Sequence, residues 1–225
     1  IVGFTNICEL ALRDEAKLIF ASSASVYGNP TILPTPESYT LNSKLLYGAT
    51  KIANEFLANS YADIEGLQFI SLRPFNVYGP NQSINNVYTQ IIPYLIKSFY
   101  DNKDVVLHSD GSQTMDLIFT CDVAEYYVKA AQSDFVRSEK FEGYLNCGTG
   151  IETSVIELYN RLHEICKEFF NFNIQLSFDK HDPSLVKRRC ADITLLKDCL
   201  GDYDHDLEEG LQITVEKTYK KWKKI

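Results

Sequence analysis

The chain has 225 residues, 22 Lys and Arg against 30 Asp and Glu, and a formal net charge of −8. That balance argues against a broad nucleic-acid-binding surface. Values of 45% hydrophobic and 23% charged residues are those of a globular chain rather than a disordered one.

Apolar period and punctuation then give the elements in chain order. The chain opens on Ile1 rather than Met, which reads as the start of a fragment. Ile7, Leu10 and Ala11 predict the apolar face of an opening helix, and Lys17–Ser22 predicts a buried strand running into serines. A long loop with Pro30, Pro34 and Pro36 follows. Leu45 to about Tyr61 predicts a helix and Leu67–Leu72 a strand, with Pro74, Gly79 and Pro80 breaking the chain there. Val87–Tyr100 is helical in pattern, Val105–His108 is a short strand, and Asp122–Gln132 is a helix with Asp122 as its expected N-cap. Tyr144–Cys147 predicts a strand ending in Gly148-Thr149-Gly150. Ser154–Phe169, Ile193–Leu200 and Leu207–Trp222 predict further helices. Strands alternating with helices imply a parallel α/β sheet covered on both faces.

Other features exclude further classes. No apolar run approaches the ~20 residues of a membrane-spanning helix. Six cysteines (Cys8, Cys121, Cys147, Cys166, Cys190, Cys199) include no CxxC pair, and four histidines form no HxxxH or HxxEH pattern. A reduced, cytoplasmic compartment is therefore expected, and no metal site. Asp179, His181 and Asp182 read as a polar loop rather than a metal cluster. The lysines around Trp222 read as a solvated last helical turn.

The feature that carries chemistry is Tyr47-Gly48-Ala49-Thr50-Lys51, on a helix that follows a strand ending in Ser22-Ser23. Residues four apart lie one turn from each other on one helix face. A phenol, with a reference pKa near ~10, is a poor base at neutral pH. An ammonium about 5 Å away, at an effective dielectric of about 20, favours the phenolate by roughly 3 kcal/mol. That covers most of the distance to the working range of general acid–base catalysis. By itself the pair equally fits a packed tyrosine with a lysine snorkelling beside it.

The surrounding motifs separate the two readings. Ile19-Phe20-Ala21-Ser22-Ser23-Ala24-Ser25-Val26-Tyr27-Gly28 precedes Tyr47-Gly48-Ala49-Thr50-Lys51-Ile52-Ala53-Asn54-Glu55. Leu72-Arg73-Pro74-Phe75-Asn76-Val77-Tyr78-Gly79-Pro80, Asp110-Gly111-Ser112-Gln113, Asp122-Val123-Ala124 and Leu145-Asn146-Cys147-Gly148-Thr149-Gly150 come next. Ala191-Asp192-Ile193 and Leu207-Glu208-Glu209-Gly210-Leu211 close the series. In this order, over essentially the whole chain, they resemble the extended short-chain dehydrogenase/reductases of the NAD-dependent epimerase/dehydratase family. The branch of UDP-glucose 4-epimerases and related NDP-sugar epimerases is the most similar.

The resemblance implies an α/β fold: the later part of a Rossmann-type doubly wound parallel sheet with an interleaved smaller α/β substrate domain. Residues 1–80 and 115–150 would form the cofactor-binding part, and 81–114 and 151–225 the substrate-binding part. It implies that Tyr47 is the catalytic acid/base, that Lys51 assists it and holds the nicotinamide ribose, and that Ser23 orients the reacting hydroxyl. Ser22, Tyr47, Lys51, Pro74 and Phe75 would lie against NAD. Ser23, Ala24, Ser25 and Asn76 would lie against a nucleotide-sugar. Dehydratases of the family carry an Asp-Glu pair after the equivalent hydroxyl residue, and decarboxylases keep a Glu nearby. Ala24-Ser25 supplies neither acid, which favours epimerisation, at C4, by transient oxidation to a keto-sugar. A dehydratase or reductase on the same scaffold, or a non-catalytic relative, is the alternative. A homodimer through the helical regions at Val2–Arg13 and Leu45–Tyr61 is also implied.

Two departures stand out. The chain contains no G-x-x-G-x-x-G, the motif that grips the dinucleotide pyrophosphate. Gln113-Thr114-Met115-Asp116 carries Met where the family has a diphosphate-binding Arg, and Met has neither charge nor donors. A second family Arg falls near Asp182. Lys187, Arg188 and Arg189 are the available stand-ins, and Arg188 is expected to contact substrate.

Overall fold

The computed structural model describes residues 1–83, 90–134, 141–179 and 186–223. His181 and Asp182 of the predicted polar loop, and the predicted helix start at Val87, lie outside the described residues. Helix α1 (Val2–Arg13) leads into strand β1 (Leu18–Ala21), helix α2 (Leu46–Glu65) and strand β2 (Phe69–Pro74). Strand β3 (Asn76–Tyr78), helix α3 (Ile91–Tyr100), strands β4 (Val105–His108) and β5 (Thr114–Phe119), and helix α4 (Thr120–Gln132) follow. Strands β6 (Tyr144–Cys147) and β7 (Glu152–Ser154), helix α5 (Val155–Lys167), strand β8 (Leu176–Asp179), and helices α6 (Thr194–Leu200) and α7 (Leu207–Trp222) complete the chain.

A parallel sheet in the order β1-β2-β6 carries helices on both faces. Cys8, Ala11 and Leu67, with Ala58, Phe69 and Tyr144, pack α1 and α2 on one side. Val123, Tyr126, Leu196 and Leu200 bring α4 and α6 onto Ile70, Leu72 and Leu145 from the other. A second core gathers α3, α5 and α7 with β4 and β5 around Phe99, Leu107, Leu158, Leu162 and Leu211. Each fully buried Leu or Phe there stabilises the fold by about 1.5–3 kcal/mol. Strand β3 pairs in parallel with β5, β5 pairs antiparallel with β7, and β4 pairs in parallel with β8.

Local chemistry explains several boundaries. Ser154 accepts from Glu157 N at 3.2 Å and starts α5, and Asp206 accepts from Glu209 N at 2.8 Å and starts α7. Three expectations change. The face of α1 turned inward is Cys8 and Ala11, while Ile7 and Leu10 are exposed. β1 runs along the margin of its sheet and is only partly buried. Asp122 is not an N-cap: α4 begins two residues earlier, and Asp122 is buried in its first turn against His205 Nδ1 at 2.7 Å. Among the described residues no helix is long and apolar enough to cross a membrane.

Candidate active site

The end of β1 and the first turns of α2 form one corner. Ser22 is still in register with β2, its N donating to Leu72 O at 2.8 Å. Its hydroxyl is buried and has no hydrogen-bond partner. The chain then tightens into a 3-10 turn, Ala24–Tyr27, capped by Ser23, whose Oγ accepts from Ser25 N at 3.1 Å. A hydroxyl used as an acceptor keeps its own proton to donate. The Ser25 hydroxyl is buried without a partner as well.

Helix α2 presents Tyr47, Lys51 and Glu55 at four-residue intervals along one face. Lys51 Nζ donates to Ala21 O at 2.8 Å and lies 5.6 Å from the centre of the Tyr47 ring. Because Ala21 immediately precedes Ser22, this bond brings Lys51 and Tyr47 to the serine corner. Tyr47 remains 58% exposed. The close approach depends on Gly48: a Cβ there would lie 2.8 Å from Ser25 O and 2.0 Å from Ser43 Oγ.

Beyond the corner, β2 ends at Pro74, which is paired with Cys147, and Phe75 N donates to Cys147 O at 2.9 Å. Asn76 opens β3 and donates from Nδ2 to Asp116 O at 3.2 Å. Sequence reasoning missed the network beneath these residues. Arg73 and Glu55, each 2% exposed, form a two-pronged pair, with Nε and Nη2 at 2.9 and 2.8 Å from the carboxylate oxygens. Arg73 Nη1 donates to Tyr27 Oη and to Glu37 O, both at 2.8 Å, and Tyr27 Oη donates to Asn146 Oδ1 at 2.6 Å. Burial opposes the Arg73 charge, but the Glu55 bonds outweigh it and hold the guanidinium above its ordinary pKa. Burial pushes the Tyr27 phenol up despite the neighbouring Arg73. Glu55 lies one turn beyond Lys51, so this network fixes where α2 sits against β2. Its signal was available in the continuation of Tyr47-x-x-x-Lys51 to Glu55 and in an arginine ending an apolar strand.

Asp116 is a second buried anchor. Its carboxylate accepts from Thr149 N, Thr149 Oγ1, Gly150 N and Ala191 N at 2.7–2.9 Å. Burial still raises its pKa against those bonds. It ties β5 to the turn after β6 and to residues 190–192. Of the three basic candidates, Lys187 is exposed, and Arg188 is spent on Glu152 through Nε and Nη2, the first bond at 2.9 Å. Arg189 Nε is sealed from solvent without a partner. Among the described residues no group of three or more His, Cys, Asp or Glu could hold a metal ion.

Residues 1–143 match the profile of the NAD dependent epimerase/dehydratase family. The chain belongs to this family. Its relatives include a Methanocaldococcus jannaschii protein named "Putative UDP-glucose 4-epimerase", 32% identical over 217 residues, covering 96% of this chain and 67% of that one. Among solved structures, the UDP-N-acetylglucosamine 4-epimerase of Methanobrevibacter ruminantium, in complex with UDP-N-acetylmuramic acid, superposes with a TM-score of 0.90. It is 27% identical, with 98% of this chain and 69% of that chain covered. The UDP-glucose 4-epimerase of Thermotoga maritima with UDP-glucose gives 0.89 at 26% identity, covering 99% and 70%. The fold is therefore the Rossmann-type α/β fold of these enzymes. The chain spans 62–67% of the length of the first three curated relatives.

Proposed function

We propose that the intact protein interconverts the C4 epimers of a nucleotide-diphosphate hexose with NAD as its resident cofactor. The observation that carries this reading is the corner itself. Lys51 is bonded to the Ala21 carbonyl beside Ser22-Ser23, the exposed Tyr47 stands next to it, and no carboxylate follows Ser23. The residues fit the nicotinamide half of the cofactor. The buried Ser22 hydroxyl has no partner, and Lys51 uses only one of its donors on Ala21 among the described residues. Ser22, Tyr47, Lys51, Pro74 and Phe75 would hold it. When bound, NAD takes a hydride from the sugar and returns it.

The protein's own residues handle the proton and the orientation. Ser23 donates to the sugar oxygen, because its Oγ already accepts from Ser25 N. Tyr47 takes the proton from the reacting hydroxyl and gives it back, with the Lys51 ammonium beside it. Ala24 and Ser25 line the sugar without offering an acid to eliminate water. Asn76 contacts the nucleotide-sugar, and Arg188 stays a candidate for that contact only through the nitrogen not bonded to Glu152.

In the lobe assignment, residues 1–80 and 115–150 hold the cofactor, and 81–114 and 151–225 hold the substrate. Pairing of β6 with β2 supports the return of the chain to the first lobe, to which we add α6 by its packing. A cytoplasmic homodimer is part of the same reading. It is supported by apolar side chains left exposed on the two expected helices, among them Ile7, Leu10, Phe56 and Ile64.

The test is turnover of UDP-glucose and UDP-galactose by the full-length protein. Interconversion without net change in NADH absorbance is expected, with loss of roughly 10²–10⁴-fold in kcat for Tyr47→Phe. Stoichiometric NADH consumption would instead establish a reductase, and full turnover by Tyr47→Phe would refute the mechanism.

A further inference from the structure

Two of the arginines near the site have acidic partners: Arg73 has Glu55, and Arg188 has Glu152. Arg189 has none among the described residues, although its Nε is closed off from water. Burial alone is what acts on its charge, lowering its pKa, with no acid compensating it. A guanidinium without a partner in a low-dielectric setting costs several kcal/mol, so the position is unfavourable for the ligand-free protein. A buried cation kept at such a cost suits a site whose counter-charge arrives with a ligand.

Backbone register says where this cation lies. In a strand, residues i and i+2 turn their N–H and C=O groups to the same side. Thr114 N donates to Lys187 O at 3.0 Å, and Asp116 O accepts from Asn76 Nδ2 at 3.2 Å. The 187–191 segment and Asn76 therefore reach β5 from one edge. Further along, Ala191 N donates to the Asp116 carboxylate at 2.9 Å. Arg189, between Lys187 and Ala191, runs beside Met115, the position where the family pattern has its arginine.

We propose that Arg189 replaces the guanidinium missing at position 115 and holds an anionic oxygen group of the nucleotide-sugar, a phosphate or a carboxylate. This rests on the nucleotide-sugar reading above and reassigns its charge contact from Arg188 to Arg189. A planar fork binds either oxyanion through two parallel N–H donors, which lysine cannot reproduce. The site thus keeps an arginine but delivers it from the neighbouring segment instead of from β5 itself.

The experiment is calorimetric titration of the full-length wild type, Arg189→Gln and Arg189→Lys with UDP, UDP-glucose and UDP-glucuronate, alongside thermal melts. Truncating one partner of a buried charge pair weakens binding by roughly 30-fold or more. Loss of that size for all three ligands in Arg189→Gln identifies the diphosphate as the partner. Loss confined to UDP-glucuronate identifies a sugar carboxylate. Arg189→Lys should recover only part of the affinity. Ligand-free Arg189→Gln should melt no lower than wild type, because the uncompensated charge has gone, and its ligand-induced rise in melting temperature should shrink. Unchanged affinity in Arg189→Gln overturns this inference and leaves the epimerase reading standing. A variant that melts well below wild type without ligand also overturns it, since the residue is then structural. Wild type that binds none of the three ligands overturns both.

Discussion

Replacing Glu55 by leucine tests whether the buried pair beneath the site fixes the position of α2. The substitution strips Arg73 of two bonds, at 2.9 and 2.8 Å, and leaves a cation that is 2% exposed with only Tyr27 Oη and Glu37 O as partners. Breaking a buried pair by removing one member costs about 3–5 kcal/mol. In a chain of this size about 1 kcal/mol moves the melting temperature by roughly 2–4 °C, so the expected fall is about 6–20 °C. The double variant Arg73→Met/Glu55→Leu removes both charges and orphans only the bonds to Tyr27 and Glu37, at about 1 kcal/mol each. It should therefore be more stable than Glu55→Leu alone, the pair being coupled by at least about 2 kcal/mol. Urea unfolding of the four proteins of the cycle, followed by circular dichroism, measures that coupling. A single-variant cost below about 1 kcal/mol, or a double variant as unstable as the sum of the singles, would refute the reasoning. Because Glu55 shares a helix face with Lys51 and Tyr47, the same variant should also lose kcat under conditions where it remains folded.

Three further outcomes are expected. Gly48→Ala should forfeit the gain of up to about 1 kcal/mol that alanine normally brings to a helix, because its Cβ would meet Ser25 O at 2.8 Å. It should lower kcat/KM as well, and a stabilised, fully active variant would contradict the close approach. His205 faces Asp122, Asp204 and Glu209, stacks on Phe119, and has its pKa raised chiefly by the Asp122 hydrogen bond. Its contribution to stability is complete below the ordinary histidine value of 6.5 and is lost as pH rises through the higher folded value. His205→Gln should flatten the decline in unfolding free energy above that pH, and an unchanged profile would count against the pair. Phe56→Asp, at a position 72% exposed, should yield a monomer by light scattering, with stability within about 0.5 kcal/mol of wild type; a persisting dimer would place the interface elsewhere.

Much of the site was legible because its chemistry is local. Tyr47 and Lys51 are one helical turn apart, so their shared face follows from helix geometry wherever the helix packs. Strands Val105–His108 and Tyr144–Cys147 and helix Leu207–Trp222 were readable from apolar period and clear punctuation. Strands β3, β5, β7 and β8 were not. Glu152-Thr153-Ser154 is three residues long with no alternation to detect, and it is a strand only because Thr114–Asp116 lies beside it. Asp122 looked like a cap because small acidic residues favour caps, and only the packing of α4 against the segment carrying His205 made it a buried partner instead.

By itself, then, the sequence determined the order of helices and strands, the tyrosine–lysine–serine set and the missing acids after Ser23. Those are properties of neighbours along the chain. Tertiary structure decided which charges are already spent. Arg73, Glu55, Tyr27 and Asn146 come from segments up to 119 residues apart and meet in one buried network. Adjacent arginines at 188 and 189 are indistinguishable in sequence, yet alternation along an extended segment turns them to different surroundings. One meets Glu152, and the other is left buried without an acid. The cost of an unpaired buried charge depends on what surrounds it, and that is known only once the chain has folded.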